Sequence, residues 1–141
     1  MPNANEQRAV GARLHAALDP ADLGAAHANL ELLAAASTSE DSAKDHRGLA
    51  AIAAELRHQV DEVLAATSLA IEVLPAGPAS HAQLEALTSL AGAGAPVAVA
   101  LMRPVPDPVE ALRLWPGYQD AFMAAAQAVG HDNPLLPGGD P

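Results

Sequence analysis

A stretch without proline, residues 48–74, constrains the fold of this chain more than any other feature. Its sequence is GLAAIAAELRHQVDEVLAATSLAIEVL. Apolar or small residues recur there in steps of three and four, at Leu49, Ile52, Leu56, Val60, Val63, Thr67, Ala70 and Leu74. This spacing places them on one face of an α-helix. It predicts a long central helix that starts as early as Ser42 and ends before Pro75, which lacks a backbone donor.

The two halves of this helix differ in polarity. Glu55, His58, Asp61 and Glu62 lie off the apolar stripe in the first half, whereas Glu72 is the only charged residue within 65–74. A helix that is apolar on most sides is covered on most sides. Leu69 lies away from the stripe, so another part of the chain or a second copy should cover it. We expect a homodimer, which Leu69→Glu should weaken.

The rest of the chain also follows helical spacing. We predict helices over 3–18 and 20–36, the second capped by Asp19 with Pro20 at its first position. A fourth helix starts at Ser80 and weakens at Gly92 and Gly94, and further helical segments cover 97–102, 109–115 and 118–129; VAVAL within 97–102 is alternatively a short strand. The expected fold is all-α, a bundle of five to six helices forming one domain over 1–130, followed by a Pro/Gly-rich tail over 131–141.

Composition narrows the possible partners. A net charge of −10 and an aromatic content of 2% argue against binding to nucleic acid or to an anionic membrane. The chain has no cysteine, so disulfides and cysteine-based metal sites are excluded. No signal-type segment and no uninterrupted apolar run of about 20 residues is present. We therefore expect a soluble cytoplasmic protein whose partners are other proteins.

Histidines next to glutamates raise the question of a metal site. His27 and Glu31, and likewise His81 and Glu85, stand four residues apart, so each pair shares one helix face. If both histidines point inward and meet, these four side chains could form a tetrahedral site. Nothing in the sequence specifies outer-shell partners for the imidazoles. We therefore expect no metal and no cofactor, and we interpret the pairs as surface neighbours.

All aromatic side chains gather in one short segment. Trp115, Tyr118 and Phe122 could line a ligand pocket or fill the end of a small core, and we favour the core interpretation. The sequence contains neither a G-x-S-x-G nucleophile motif nor a phosphate-binding glycine loop with its lysine. Catalysis is therefore not favoured.

Residues 48–103 resemble the dimerisation and histidine-phosphotransfer hairpin of sensor histidine kinases. His58 would be the phosphorylated histidine, and Leu56, Val60, Val63 and Leu64 occupy the apolar positions around it. The resemblance implies a four-helix bundle formed by two copies. Two residues depart from the family pattern. The family has an acid directly after the histidine, where this chain has Gln59, and Thr or Asn at the fourth position after it, where this chain has Glu62. The family's nucleotide-binding domain does not follow either.

Three functional hypotheses result. The favoured one is a non-catalytic regulatory or adaptor protein that acts through protein–protein contacts. The alternative is a histidine phosphotransfer module with His58 as the phosphoryl acceptor. A His/Glu metal-binding bundle using His27, Glu31, His81 and Glu85 is a second alternative.

Overall fold

The computed structural model describes residues 4–37, 46–74, 78–102 and 107–130. These parts contain five α-helices and no strand: α1 (Ala4–Ala17), α2 (Pro20–Ser37), α3 (His46–Val73), α4 (Pro78–Met102) and α5 (Pro108–Gly130). The all-α prediction is confirmed, and α3 is the longest of these helices with 28 residues. The predicted helix start at Ser42 and the predicted tail over 131–141 lie outside the described residues.

Local sequence explains how two of the helices begin. The Asp19 carboxylate accepts a hydrogen bond from the Ala21 backbone N–H at 2.9 Å, which confirms the predicted cap ahead of Pro20. Asp107 does the same for α5, where its carboxylate accepts from the Glu110 N–H at 3.0 Å. The α4 helix begins at Pro78, two residues before the predicted Ser80.

The five helices share one apolar core. The predicted stripe of α3 faces it, because Leu56, Val60, Val63, Thr67 and Ala70 are all buried. The α4 helix packs against both α3 and α5, while α1 and α2 pack against α3 and α5. Within 65–74, Ala66 is buried too, so neighbouring helices of the same chain supply much of the cover that this part of α3 requires.

Two predicted breaks in the helices are wrong. Pro96 lies inside a continuous α4 and Pro116 inside a continuous α5, so the segments 97–102 and 109–115 are not separate helices, and VAVAL is not a strand. An interior proline costs about 3 kcal/mol because it removes one backbone hydrogen bond and crowds the preceding turn. Both prolines are exposed. Burial of the opposite faces of these helices offsets that cost.

Gly94 allows three helices to meet closely. It is buried, and a Cβ at this position would lie 2.6 Å from Leu64 Cδ2 of α3 and 3.2 Å from the Tyr118 ring of α5. The sequence suggested that Gly92 and Gly94 weaken the helix. At Gly94 the missing side chain instead makes room for neighbouring side chains.

The aromatic segment forms part of the core. Trp115, Tyr118 and Phe122 are buried, with successive rings in edge-on contact at centroid distances of 4.9 and 6.1 Å. Burial raises the pKa of the Tyr118 hydroxyl above its ordinary value. These positions confirm the interpretation of the segment as core.

Candidate functional site

His58 lies on the exposed side of α3, at the wall of a cleft between α1, α2 and α3. Its exposure follows from its position off the buried stripe of Leu56 and Val60. The cleft has a volume of about 360 Å³ and is lined by Arg13, Asp22, Glu55, His58, Gln59 and Glu62 together with small apolar side chains. The histidine identified from the sequence is therefore accessible to a ligand.

An ion pair closes one side of this cleft. The Arg13 guanidinium donates two hydrogen bonds to the Glu62 carboxylate, both at 2.7 Å. These bonds lower the pKa of Glu62 and raise the pKa of Arg13, and the burial of the carboxylate opposes the first shift only in part. The pair links α1 to α3, and it neutralises the Arg13 guanidinium that lines the cleft.

A second polar contact fixes α2 beside the same part of α3. The Gln59 side-chain amide donates to the backbone carbonyl of Asp22 at 2.6 Å. With Arg13 and Glu62 paired, Asp22 and Glu55 leave the cleft acidic. The His58 ring interacts electrostatically with the Glu62 carboxylate, which Arg13 already holds by two hydrogen bonds. An acidic cleft also repels a phosphoryl group.

The structure does not bring the four candidate metal ligands together. His27 Nδ1 lies 3.4 Å from Glu31 Oε1 on α2, and His81 Nε2 lies 3.6 Å from Glu85 Oε1 on α4. In the described part of the chain, α2 and α4 do not contact each other. No group of three or more His, Asp or Glu side chains that could hold a metal ion occurs among the described residues.

His27 has a different neighbour. Its ring stacks on Trp115 of α5, with 5.8 Å between the ring centroids and 14° between the ring planes. This contact helps to hold α2 on α5. It gives His27 a packing role, while its pairing with Glu31 agrees with the surface-neighbour interpretation.

An exposed apolar surface that the sequence did not point to lies on α4. We define the α4 outer face as six exposed positions: Glu85, Thr88, Gly92, Ala95, Val99 and Met102. Val99 and Met102 are 57% and 56% exposed, and residues 86–102 include no charged residue. Nearby Val109 at the start of α5 is also exposed. This face is a candidate surface for a protein partner, because two large apolar side chains are exposed one helical turn apart on it.

A groove runs beside the α4 outer face, between α4 and α5. It has a volume of about 540 Å³, and Gly92, Ala95, Val99 and Leu114 contribute to its apolar wall. Glu110 and Arg113 form an ion pair at the same groove. The groove thus offers an apolar surface next to one acidic and one basic side chain.

Segment His81–Met102 of α4 is long and apolar enough to cross a membrane by length and composition alone, a property that the sequence analysis did not predict. Of its most apolar window, 39% is buried inside the fold. A core helix of a water-soluble protein satisfies the same criterion.

Comparison with known proteins yields no assignment: no protein family model, no curated protein and no solved structure matches this chain.

Proposed function

We propose that this protein is a non-catalytic helical bundle that acts as a regulatory or adaptor protein through protein–protein contacts, and that it does so as a homodimer. The observation that carries this proposal is the α4 outer face, where Val99 and Met102 are more than half exposed on a helix without charge over residues 86–102. Burial of such a face against a partner removes apolar surface from water and contributes about 25 cal/mol per Å².

The charge distribution supports a protein partner. The chain carries a net charge of −10, so it repels phosphate backbones and anionic lipid head groups. The α4 outer face is the exception to this charge, because Glu85 is its only acidic residue. Contact through the uncharged part of this face lets another protein approach without bringing carboxylates together.

Sedimentation velocity with two matched variants tests this proposal. Val99→Glu places a charge on the α4 outer face, whereas Leu32→Glu places one on α2 at a residue with the same 57% exposure. We expect the wild type and Leu32→Glu to sediment as dimers, and Val99→Glu to sediment as a monomer with an unchanged helical circular dichroism spectrum. A wild type that is monomeric at all concentrations, or a dimeric Val99→Glu, would contradict the proposal.

A second candidate function is phosphoryl transfer through His58. The observation in its favour is the exposed imidazole at the wall of an open cleft. A neutral imidazole nitrogen can accept a phosphoryl group: the N–P bond forms as the P–O bond to the donor's carboxylate breaks, and that carboxylate is the leaving group. The acidic side chains Asp22 and Glu55 count against it, so we place it second.

Incubation with a phosphorylated response regulator tests this second candidate. Label that moves to the wild type and to His81→Ala, but not to His58→Ala, would establish it, since His81 is an exposed histidine on another helix. Label that stays on the donors, with all three proteins folded, would exclude it for those donors.

A separate proposal is that the protein does not bind a metal ion. We propose that the purified protein carries no stoichiometric transition metal, because His27 and His81 lie on helices that make no contact within the described ranges. A chelator should leave the melting temperature unchanged. About one metal per chain by elemental analysis, lost in His27→Ala together with stability, would make metal binding the leading function.

A further inference from the structure

We infer that the segment after α5, residues 133–137, folds back along α5 and places Leu135 and Leu136 in a groove between the end of α5 and the junction of α1 with α2. No residue of α4 lines this groove in the described part of the chain, so the inference does not depend on the proposed dimer. It is supported by the polarity of the groove, by the place where α5 ends, and by the sequence that follows.

The groove has an apolar wall. It exists because α1 packs mainly on α3 and touches α5 only slightly. Its volume is about 600 Å³, and Leu18, Met123 and Val129 contribute to its lining. Met123 is 44% exposed. Because a methionine side chain is flexible and polarizable, it adapts to an apolar segment that packs on it.

The groove also differs from its neighbours in charge. The His58 cleft includes Asp22 and Glu55, and the groove between α4 and α5 includes Glu110. The described residues that line the present groove include no carboxylate, although the chain has a net charge of −10. An uncharged apolar segment can therefore be buried here without leaving a carboxylate unpaired.

The end of α5 lies at the edge of this groove. Val129 lines the groove, and α5 ends at Gly130. Met123 precedes Val129 by six residues, so the α5 wall is ~9 Å long at ~1.5 Å per residue. Leu135 follows Gly130 by five residues, which span up to ~17 Å when extended. The segment is therefore long enough to turn back and reach the whole wall.

The sequence after Gly130 favours this change of direction. Residues 131–137 read HDNPLLP. Asp132 and Asn133 are common in turns, and Pro134 cannot continue a helix. Leu135 and Leu136 follow directly, and residues 133–137 carry no charge. The sequence thus predicts a turn followed by two large apolar side chains that match the groove in polarity.

Covalent connection favours this segment over a separate molecule. A segment joined to its site by a few residues has an effective concentration in the millimolar range. A separate peptide must also offset the loss of its translational and rotational freedom. Burial of one leucine side chain contributes about 1.5–3 kcal/mol, so two leucines suffice for a tethered segment.

Disulfide trapping tests this placement, because the natural chain has no cysteine. His15→Cys places a thiol in the groove, whereas Ala16→Cys places one at the His58 cleft. Both positions are exposed, so both variants should fold. Each is combined with Pro137→Cys, which keeps both leucines, and the disulfide within one chain is measured at equilibrium with glutathione.

We expect the equilibrium constant for the disulfide to be at least tenfold higher for the His15→Cys pair than for the Ala16→Cys pair. Equal constants would overturn the inference. Disulfides that join two chains would overturn it as well, because the segment would then occupy the groove of another copy.

Methyl NMR of the methionines tests the same placement without cysteines. Met102 on α4 is 56% exposed and serves as the control for Met123. With a soluble paramagnetic agent, the relaxation of the Met123 methyl group should rise at least twofold in the double variant Leu135→Ser, Leu136→Ser, while Met102 should not change. Unchanged relaxation at Met123 would show that this segment does not cover the groove. Equal rises at both methionines would indicate a general opening of the bundle and would also overturn the inference.

Discussion

The two sides of α4 place their residues at the same helical spacing, but one side is buried and the other is exposed. Both sides follow alternating steps of three and four residues, and each position of the α4 outer face lies one or two residues after a buried one. The buried positions of the inner side are Gln83, Leu87, Leu90, Gly94, Val97 and Leu101. The inner side is occupied by α3 and α5. Helical spacing therefore indicates which sides of a helix can pack against a neighbour. The other helices of the chain determine which of these sides is packed inside the fold.

The largest effect should come from removing apolar volume on the inner side. Leu90 is fully buried, so Leu90→Ala should lower the free energy of unfolding by about 2–5 kcal/mol through lost burial and a residual cavity. The matched outer change is Val99→Ala, which should alter the stability of the isolated chain by less than about 0.5 kcal/mol. Urea unfolding measures both, and equal losses would contradict the assignment of the two sides.

A medium effect is expected from the two glycines of α4. Gly94→Ala places a methyl group against Leu64 and the Tyr118 ring, and overpacking of this kind costs about 1–3 kcal/mol. A Cβ at Gly92 has no atom within 4 Å, so Gly92→Ala should not destabilise the fold. Thermal unfolding compares the two variants, and a stable Gly94→Ala protein would show that α3 and α5 are not held closely at this point.

The smallest effect concerns the contact between α1 and α3, which includes the ion pair of Arg13 with Glu62. The hydrogen bonds from Arg13 lower the pKa of Glu62, so the ion pair stabilises the fold above the ordinary pKa of a glutamate. This stabilisation is lost as the pH falls through the lowered pKa. Because the pair is exposed to water, the effect is small.

Melting temperatures measured from about pH 7 to about pH 3 test whether this stabilisation decreases as the pH falls. Glu62→Gln should melt below the wild type at neutral pH, and the difference should shrink with acidification. Glu72→Gln, a change at an exposed carboxylate on the same helix, serves as the control. A difference that grows toward low pH would contradict the described pair.

Local patterns in the sequence predicted much of the fold. The stripe of α3 and the cap at Asp19 depend on neighbours within a few residues, and both are confirmed. The continuity of α4 and α5 through Pro96 and Pro116 was missed, because it depends on packing between helices that offsets a local cost. Gly94 was misinterpreted for the same reason: its neighbours Leu64 and Tyr118 are distant in sequence.

The candidate sites were predictable only in part. The exposure of His58 followed from its position off the stripe, but its cleft depends on Arg13 reaching Glu62, 49 residues away. The α4 outer face could have been found from its heptad steps and its lack of charge. It was missed because its Glu, Thr, Gly and Ala residues conceal the two large apolar residues Val99 and Met102, whose exposure depends on how α4 packs on α3 and α5.

The most direct test of the central claim, that a protein covers the α4 outer face in solution, compares the methyl groups of Val99 and Leu32. Both side chains are 57% exposed in the isolated chain. Methyl NMR with a soluble paramagnetic agent should show strong relaxation at Leu32 and clear protection at Val99, because in the proposed homodimer only Val99 is covered. Equal relaxation of the two residues at concentrations well above those used for sedimentation would contradict the claim.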